Sequence, residues 1–315
     1  MMGGSPVVEV VAGVIRDARG RVLLARRTEG RDLAGLWEFP GGKREPGETG
    51  EEALARELHE ELGIEARVGE ALIRVPQQYP HKHLVLDVRF IDSWQGRARG
   101  REGQALAWVP VDRLPLYDMP PADRPVVAAL MQPSLYRVTD TPVDEVEWLA
   151  SLQRSFASGL RRVQLRAPGL HGQRWSHLVE CAADLARGAG AEVLVNGDVA
   201  LARHLGIGLH LPAAQLALLA DRPLPLPFAV AASCHGVIDL ARAEAIGCDF
   251  AVVGHIRPTP SHEEGTPLGW DGFVALRERT SLPLYAIGGL TPHDLPAART
   301  MGAQGVAGIR AFEAV

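Results

Sequence analysis

Between residues 42 and 64 the chain reads GKREPGETGEEALARELHEELGI, and no other stretch restricts the fold as tightly. A glycine-rich loop runs into a segment of Ala, Leu, Glu and Arg, residues that favour helix from about Glu51 to Leu62. Gly63 stands where a helix C-cap belongs. Glu57, Glu60 and Glu61 fall at i, i+3 and i+4, so three carboxylates project from one helix face. Like charges at that spacing repel unless a cation lies among them. Hard carboxylate oxygens suit Mg2+, with Mn2+ as the alternative, and such an ion binds phosphate oxygens in turn. The competing reading is a solvated acidic helix face. The glycines, and Arg56 as a ready partner for Glu48, favour the metal site.

With 315 residues the chain is long for one core and comfortable for two. Its 46% hydrophobic and 23% charged content is ordinary for a soluble protein. A net charge of -5 argues against a general nucleic-acid or membrane-surface binder, since both reward a basic surface. Free nucleotides stay open, because a metal site handles their charge locally. Cys181, Cys234 and Cys248 are scattered and odd in number, which points to a reducing compartment. No basic segment precedes an apolar run at the start, and no stretch approaches the roughly 20 apolar residues of a membrane span. The expected location is the cytoplasm.

The stretch 42–64 matches the Nudix box, G-x5-E-x7-R-E-U-x-E-E-x-G-U with U aliphatic, at every fixed position. Around it, apolar runs at 7–15, 22–25, 71–75, 83–91 and 107–111 read as strands, the first two joined as a hairpin by the turn at 17–20. Strands around one acidic helix predict a mixed α/β/α sandwich. WEFPGGK, YPHKHLVL, REGQALAWV and MPPADRPVVAAL extend the likeness, so residues 7 to about 131 resemble the MutT-type branch, which hydrolyses oxidised guanine nucleoside triphosphates. The resemblance implies metal ligands at Glu57, Glu60, Glu61, Glu102 and the Gly41 carbonyl, with Glu57 or Glu102 as general base and Arg56 supporting catalysis. It implies substrate contacts from Arg27, Phe39, Lys82 and Asp123. Two positions depart from the family: Asp123 replaces its base-reading asparagine, and Lys82 replaces an arginine.

Past the proline-bearing 130–134 the pattern becomes a regular alternation of short apolar runs with helical stretches. Strand candidates lie at 135–139, 163–166, 192–196, 208–211, 228–233, 250–255, 284–288 and 305–309. Helical ones lie at 144–158, 175–187, 237–246 and 292–301. Eight strands with intervening helices predict a (β/α)8 TIM barrel, with an open doubly wound sheet as the alternative, and the expected domains are 1–131 and 132–315. Arg166, Asn196, Asp198, His210, Cys234, His235, His255, Thr259, Pro260, Gly288, Gly289 and Gly308 cluster at strand ends, where barrel sites form. Together they resemble the thiamine-phosphate synthase and thiazole tautomerase family. The implied partner is a thiazole or thiamine-phosphate-like ligand, its phosphate met by backbone N–H groups of Gly288, Gly289 and Gly308. Ala167 and Pro168 replace a lysine of the synthase, Gln215 replaces a metal-binding aspartate, and His262 replaces a second lysine. Ordinary synthase chemistry is therefore not expected. His255 fits a proton-moving tautomerase role instead.

These observations predict an Mg-dependent hydrolase that cleaves a nucleoside triphosphate, 8-oxo-dGTP, to its monophosphate and pyrophosphate. A second reading has it hydrolyse a thiamine-type diphosphate, coupled to thiazole chemistry in the barrel. In a third, the barrel only senses its ligand.

Overall fold

The computed structural model describes residues 7–30, 32–258 and 266–312. They form two compact units, Met1–Gln132 with segments 277–281 and 299–302, and the remainder from Pro133 onward.

The first unit is built on β1 (Val7–Val14), β2 (Val22–Arg26), β3 (Trp37–Glu38), β4 (Gly41–Lys43), β5 (Glu65–Tyr79), β6 (Lys82–Gln95) and β7 (Leu106–Val109). One sheet runs β4-β1-β6-β5 and a second runs β3-β2-β7. Helix α1 (Gly50–Leu62) covers one side and α2 (Arg124–Met131) the other. Alternation along β1 creates both cores: Val11 and Ile15 pack with Leu54, Leu58 and Leu62 of α1, while Ala12 and Val14 pack with Phe39, Val126 and Val127. This is the expected α/β/α sandwich. The expected hairpin survives only at its turn, where Arg16 bridges Val22 before the strands part into different sheets. β1 has both edges taken, by β4 and by parallel β6, and cannot also pair along β2. The strand read at 71–75 is the middle of a 15-residue edge strand, bulged near Val68 and Ala71, where Pro76 is tolerated.

The second unit is a closed barrel of eight parallel strands: β8 (Leu135–Val138), β9 (Arg162–Leu165), β10 (Glu192–Asn196), β11 (Gly208–Leu211), β12 (Val230–Cys234), β13 (Phe250–Gly254), β14 (Leu284–Ile287) and β15 (Gly305–Gly308). β15 pairs with β8 and closes the ring. The helices Glu145–Ala157, Gly172–Gly188 and Val237–Ala245 fall where the periodicity puts them. Val199–Leu205 and Ala213–Leu216 were not read, being too short to show a repeat. Tyr136, Leu194, Ala231, Phe250, Val252, Tyr285 and Ala307 form a core cluster of this unit. Among the described residues no helix is long and apolar enough to cross a membrane.

Helix α1 is capped at both ends. Thr49 and Glu52 form a reciprocal capping box. Gly63 takes a left-handed conformation, φ 70°, and its N–H donates to the His59 carbonyl at 2.9 Å. A Cβ at Gly63 would lie 2.4 Å from Arg101 Nε. Gly63→Ala should therefore destabilise the first unit by about 1–3 kcal/mol. The check is faster hydrogen exchange of the α1 amides and an earlier urea transition.

Candidate active site

Arg56 organises the acidic face of α1. Its Nε and Nη2 donate to the Glu48 carboxylate at 2.7 and 3.0 Å, Nη1 to Glu57 at 2.8 Å and to Glu60 at 3.4 Å. Nη2 also reaches the Lys43 carbonyl at 3.0 Å, tying the helix to the glycine loop. The guanidinium holds the Glu48 carboxyl well below the usual carboxylate range. The loop lies flat against α1: a Cβ at Gly42 would sit 2.1 Å from Glu57 Oε2, and one at Gly41 would sit 2.0 Å from the Val11 carbonyl. Only glycines let the Gly41–Gly42 backbone and the Glu57 carboxylate approach so closely.

Glu61 is buried, at 6% exposure. Glu61 and Glu102, from α1 and from the 96–105 loop, line one small cavity with Arg27, Thr28, Glu38 and Gln104. It has room, about 10 Å³, for one water-sized occupant. Among the described residues no three His, Cys, Asp or Glu side chains converge as a ready metal cage. Glu57 and Glu60 lean on Arg56 instead. The donor set still suits a hard divalent ion: four carboxylates and the Gly41 carbonyl offer oxygen alone, and the glycine cradle leaves Glu57 directly beside that backbone.

Beside this site lies a cleft of about 330 Å³, lined by Arg27, Glu38, Phe39, Gly41, Tyr79, Lys82 and Asp123 among others. All four residues expected to contact substrate are gathered here. Arg27 is salt-bridged to Glu38, and its Nε donates to the Asp32 carbonyl at 2.6 Å. Lys82 pairs with Asp32 at 2.8 Å, beside the Tyr79 ring. Phe39 is both cleft wall and core. Asp123 begins α2 without capping it, and its carboxylate instead accepts the Phe39 N–H at 3.2 Å. Burial, with the Glu38 carboxylate nearby, pushes its pKa up to about 8, so Asp123 is a neutral acid at pH 7. Glu38, Tyr79 and Gln104 were not singled out from the sequence, although each adjoins or lies within a motif that was.

In the barrel the expected residues stand at the C-terminal ends of parallel strands. Asn196 ends β10, Gly254 ends β13 and Gly308 ends β15; Arg166, His235 and Gly288 immediately follow β9, β12 and β14. Gly288 and Gly289 have positive φ, and their carbonyls accept from Arg257. A Cβ at Gly288 would meet His255 at 2.4 Å, so these two loops run in backbone contact. Gly308 lies under the Phe312 ring. Thr259, Pro260 and His262 fall outside the described residues. Asp198 caps the helix Val199–Leu205 by accepting the Leu201 N–H, and Gln215 donates to the Gly197 carbonyl at 3.0 Å. Gln215, at the position where the resembled synthase has a metal-binding aspartate, is thus an amide donor, and Asp198 is a helix cap. His210 is buried between Tyr136 Oη, 3.1 Å from Nδ1, and Ser233 Oγ, 2.8 Å from Nε2. Burial lowers its pKa to about 3 and keeps the imidazole neutral. Tyr136 was read from the sequence only as part of a strand.

Comparisons with known proteins follow the same division. Residues 11–129 match the NUDIX domain family and residues 135–312 match the thiamine monophosphate synthase family. An 8-oxo-dGTP diphosphatase of Haemophilus influenzae is 41% identical over 125 residues, 40% of this chain and 92% of its own length. A CTP pyrophosphohydrolase of Escherichia coli is 42% identical over the same shares. A thiamine-phosphate synthase of Herpetosiphon aurantiacus is 32% identical over 186 residues, covering 56% of this chain and 87% of its own.

Asp123 makes a prediction for stability. Its folded pKa lies above the ordinary carboxyl value of 3.8, so the folded state holds the proton more tightly. Its stabilising contribution is complete below about pH 4 and is lost as pH rises toward about 8. Asp123→Asn removes this dependence. The stability difference, Asn variant minus parent, should grow from pH 4 to 8 and level off above, as read by urea unfolding at each pH.

Proposed function

We propose, because the chain belongs to the Nudix family through residues 11–129 and to the thiamine monophosphate synthase family through residues 135–312, that its first domain converts a nucleoside triphosphate, foremost 8-oxo-dGTP, to the monophosphate and pyrophosphate. The domains so assigned are 1–131 and 132–315. The observation that carries the reading is that Arg27 and Glu38 line both the 330 Å³ cleft and the cavity of Glu61 and Glu102. A base held in the cleft therefore extends its phosphates toward the carboxylates.

When bound, a divalent cation held by Glu57, Glu60, Glu61, Glu102 and the Gly41 carbonyl neutralises charge on the phosphate oxygens and makes water more acidic. Water attacks phosphorus, the bond between the α- and β-phosphates breaks, and the water proton passes to Glu57 or Glu102. Arg56 holds Glu57 and Glu48 in place. Arg27 lies where it can meet a phosphate or the sugar. As a neutral acid Asp123 offers a donor and an acceptor side by side, which complements O6 and N7–H of an oxidised guanine. The same pair complements N3 and the amino group of cytosine. That favours a second substrate, CTP, in keeping with the relative of that name.

For the barrel, the capping role of Asp198 and the donor role of Gln215 support metal-free binding of a thiazole or thiamine-phosphate-like ligand rather than synthase chemistry. His255 is the residue placed to move a proton if the barrel is catalytic.

Incubating the full chain and Mg2+ with 8-oxo-dGTP, dGTP, CTP and thiamine diphosphate separately tests the first domain. Pyrophosphate release should be greatest with 8-oxo-dGTP or CTP and fall about 100-fold or more in Glu57→Gln. Nucleotides left intact while thiamine diphosphate loses phosphate would overturn it. The preferred base should also weaken as pH rises through about 8, where Asp123 becomes acceptor-only; Asp123→Asn should remove that limb of the KM profile. In the barrel, His255→Ala should abolish thiazole-phosphate tautomerisation while leaving binding of the same compound measurable by calorimetry.

A further inference from the structure

Gln104 sits two residues beyond Glu102 and bridges the loop to the helix. Its Oε1 accepts the Glu102 N–H at 2.8 Å, while its Nε2 donates to the Glu61 carbonyl at 3.2 Å. Neighbours on the loop make the same attachment: the Arg101 and Arg99 N–H groups donate to the Glu61 and Leu62 carbonyls at 2.9 and 3.0 Å, and Arg101 Nη1 to the His59 carbonyl at 3.1 Å. The Glu61 and Leu62 carbonyls at the end of α1, beyond the reach of an i+4 N–H, are thus taken by the 96–105 loop, while the His59 carbonyl, already accepting the Gly63 N–H, receives a second donor from Arg101. Gly103, at φ 78°, turns the chain between Glu102 and Gln104, and a Cβ on Gly100 would lie 2.1 Å from the Gln104 carbonyl. The loop is tightly folded on itself and on the helix end.

We propose that Gln104 is a positioning residue: by joining the Glu102 amide to the Glu61 carbonyl, it sets the carboxylates of Glu61 and Glu102 around one cavity and so tunes their hold on a divalent cation. This rests on the metal reading of the acidic site. Only a neutral amide of this length fills the role. It must accept at one atom and donate at the other, which an ionised carboxylate, a lysine or an arginine cannot do. A glutamate here would also add another carboxylate to a cavity lined by Glu38, Glu61 and Glu102 with Arg26 and Arg27. The arrangement is the outer support that a metal-binding carboxylate needs to keep its direction.

The test titrates Mn2+ into the full chain without nucleotide and counts free ion by electron paramagnetic resonance. Gln104→Ala should weaken Mn2+ binding by about 10-fold or more, with kcat for pyrophosphate release falling more than KM rises. Gln104→Met, close in volume but unable to make either hydrogen bond, should behave alike, which guards against a variant that merely fails to fold. In a Glu102→Gln background, Gln104→Ala should add less than about twofold, since the residue acts through Glu102. Mn2+ affinity within about twofold of the parent in both single variants, or the same loss with and without Glu102, would overturn the proposal. Failure of the underlying metal reading looks different: Glu57→Gln and Glu60→Gln would then leave Mn2+ binding unchanged.

Discussion

The first unit depends on one guanidinium. Glu48, Glu57 and Glu60 could not share the approach to α1 without a cation, and Arg56 supplies a permanent one, forked toward all three and toward the Lys43 carbonyl. Its planar donors do what a lysine could not, since they reach several acceptors from one fixed geometry. The same contacts dock the glycine loop on the helix. With the loop in place, the Gly41–Gly42 backbone lies against both β1 and the Glu57 carboxylate. Arg56 is therefore a scaffold for the carboxylates, and the chemistry assigned to them follows from where it holds them.

The barrel solves the opposite problem, keeping polar groups neutral inside. Tyr136, His210 and Ser233 form a hydrogen-bonded row in which burial denies the imidazole a charge. At the opposite ends of the strands Arg162 is nearly enclosed. It pairs with Glu192 at 2.6 Å directly across from it on β10, donates to Tyr285 Oη at 2.6 Å, and stacks on Phe250 at 4.2 Å. A buried arginine is tolerated there because every side of its plane meets an acceptor or an aromatic face. Among the described residues the rim carries no lysine after β9, where Ala167 and Pro168 stand, and Gln215 takes the place of a second carboxylate beside Asp198.

How much was legible differs between the two kinds of residue. The acidic helix, its C-cap, the sandwich and the eight-stranded barrel follow from periodicity and from residues with one conformational use, such as Gly63. The short barrel helices and the edge strand around Pro76 were hidden, because a segment of four to seven residues shows no repeat and a bulge breaks the alternation. Glu38 and Gln104 escaped notice because their importance lies in a partner on another segment, Arg27 just past β2 in one case and Glu61 from α1 in the other.

By itself the sequence determined the local alphabet: three carboxylates on one helix face, a glycine-rich loop leading into that helix, and strand ends carrying His, Asn and Asp. These are properties of spacing and side-chain chemistry, and they survive without coordinates. Only the tertiary structure decided what each group faces. It buried Asp123 beside Glu38, and so raised the carboxyl pKa to about 8. It turned Asp198 into a helix cap and Gln215 into a donor to Gly197. It brought Glu102 to Glu61 across the two paired strands β5 and β6 that separate them in the chain. Protonation and hydrogen-bond direction depend on solvent exclusion and on neighbours distant in the chain, and neither is a property of a residue read alone.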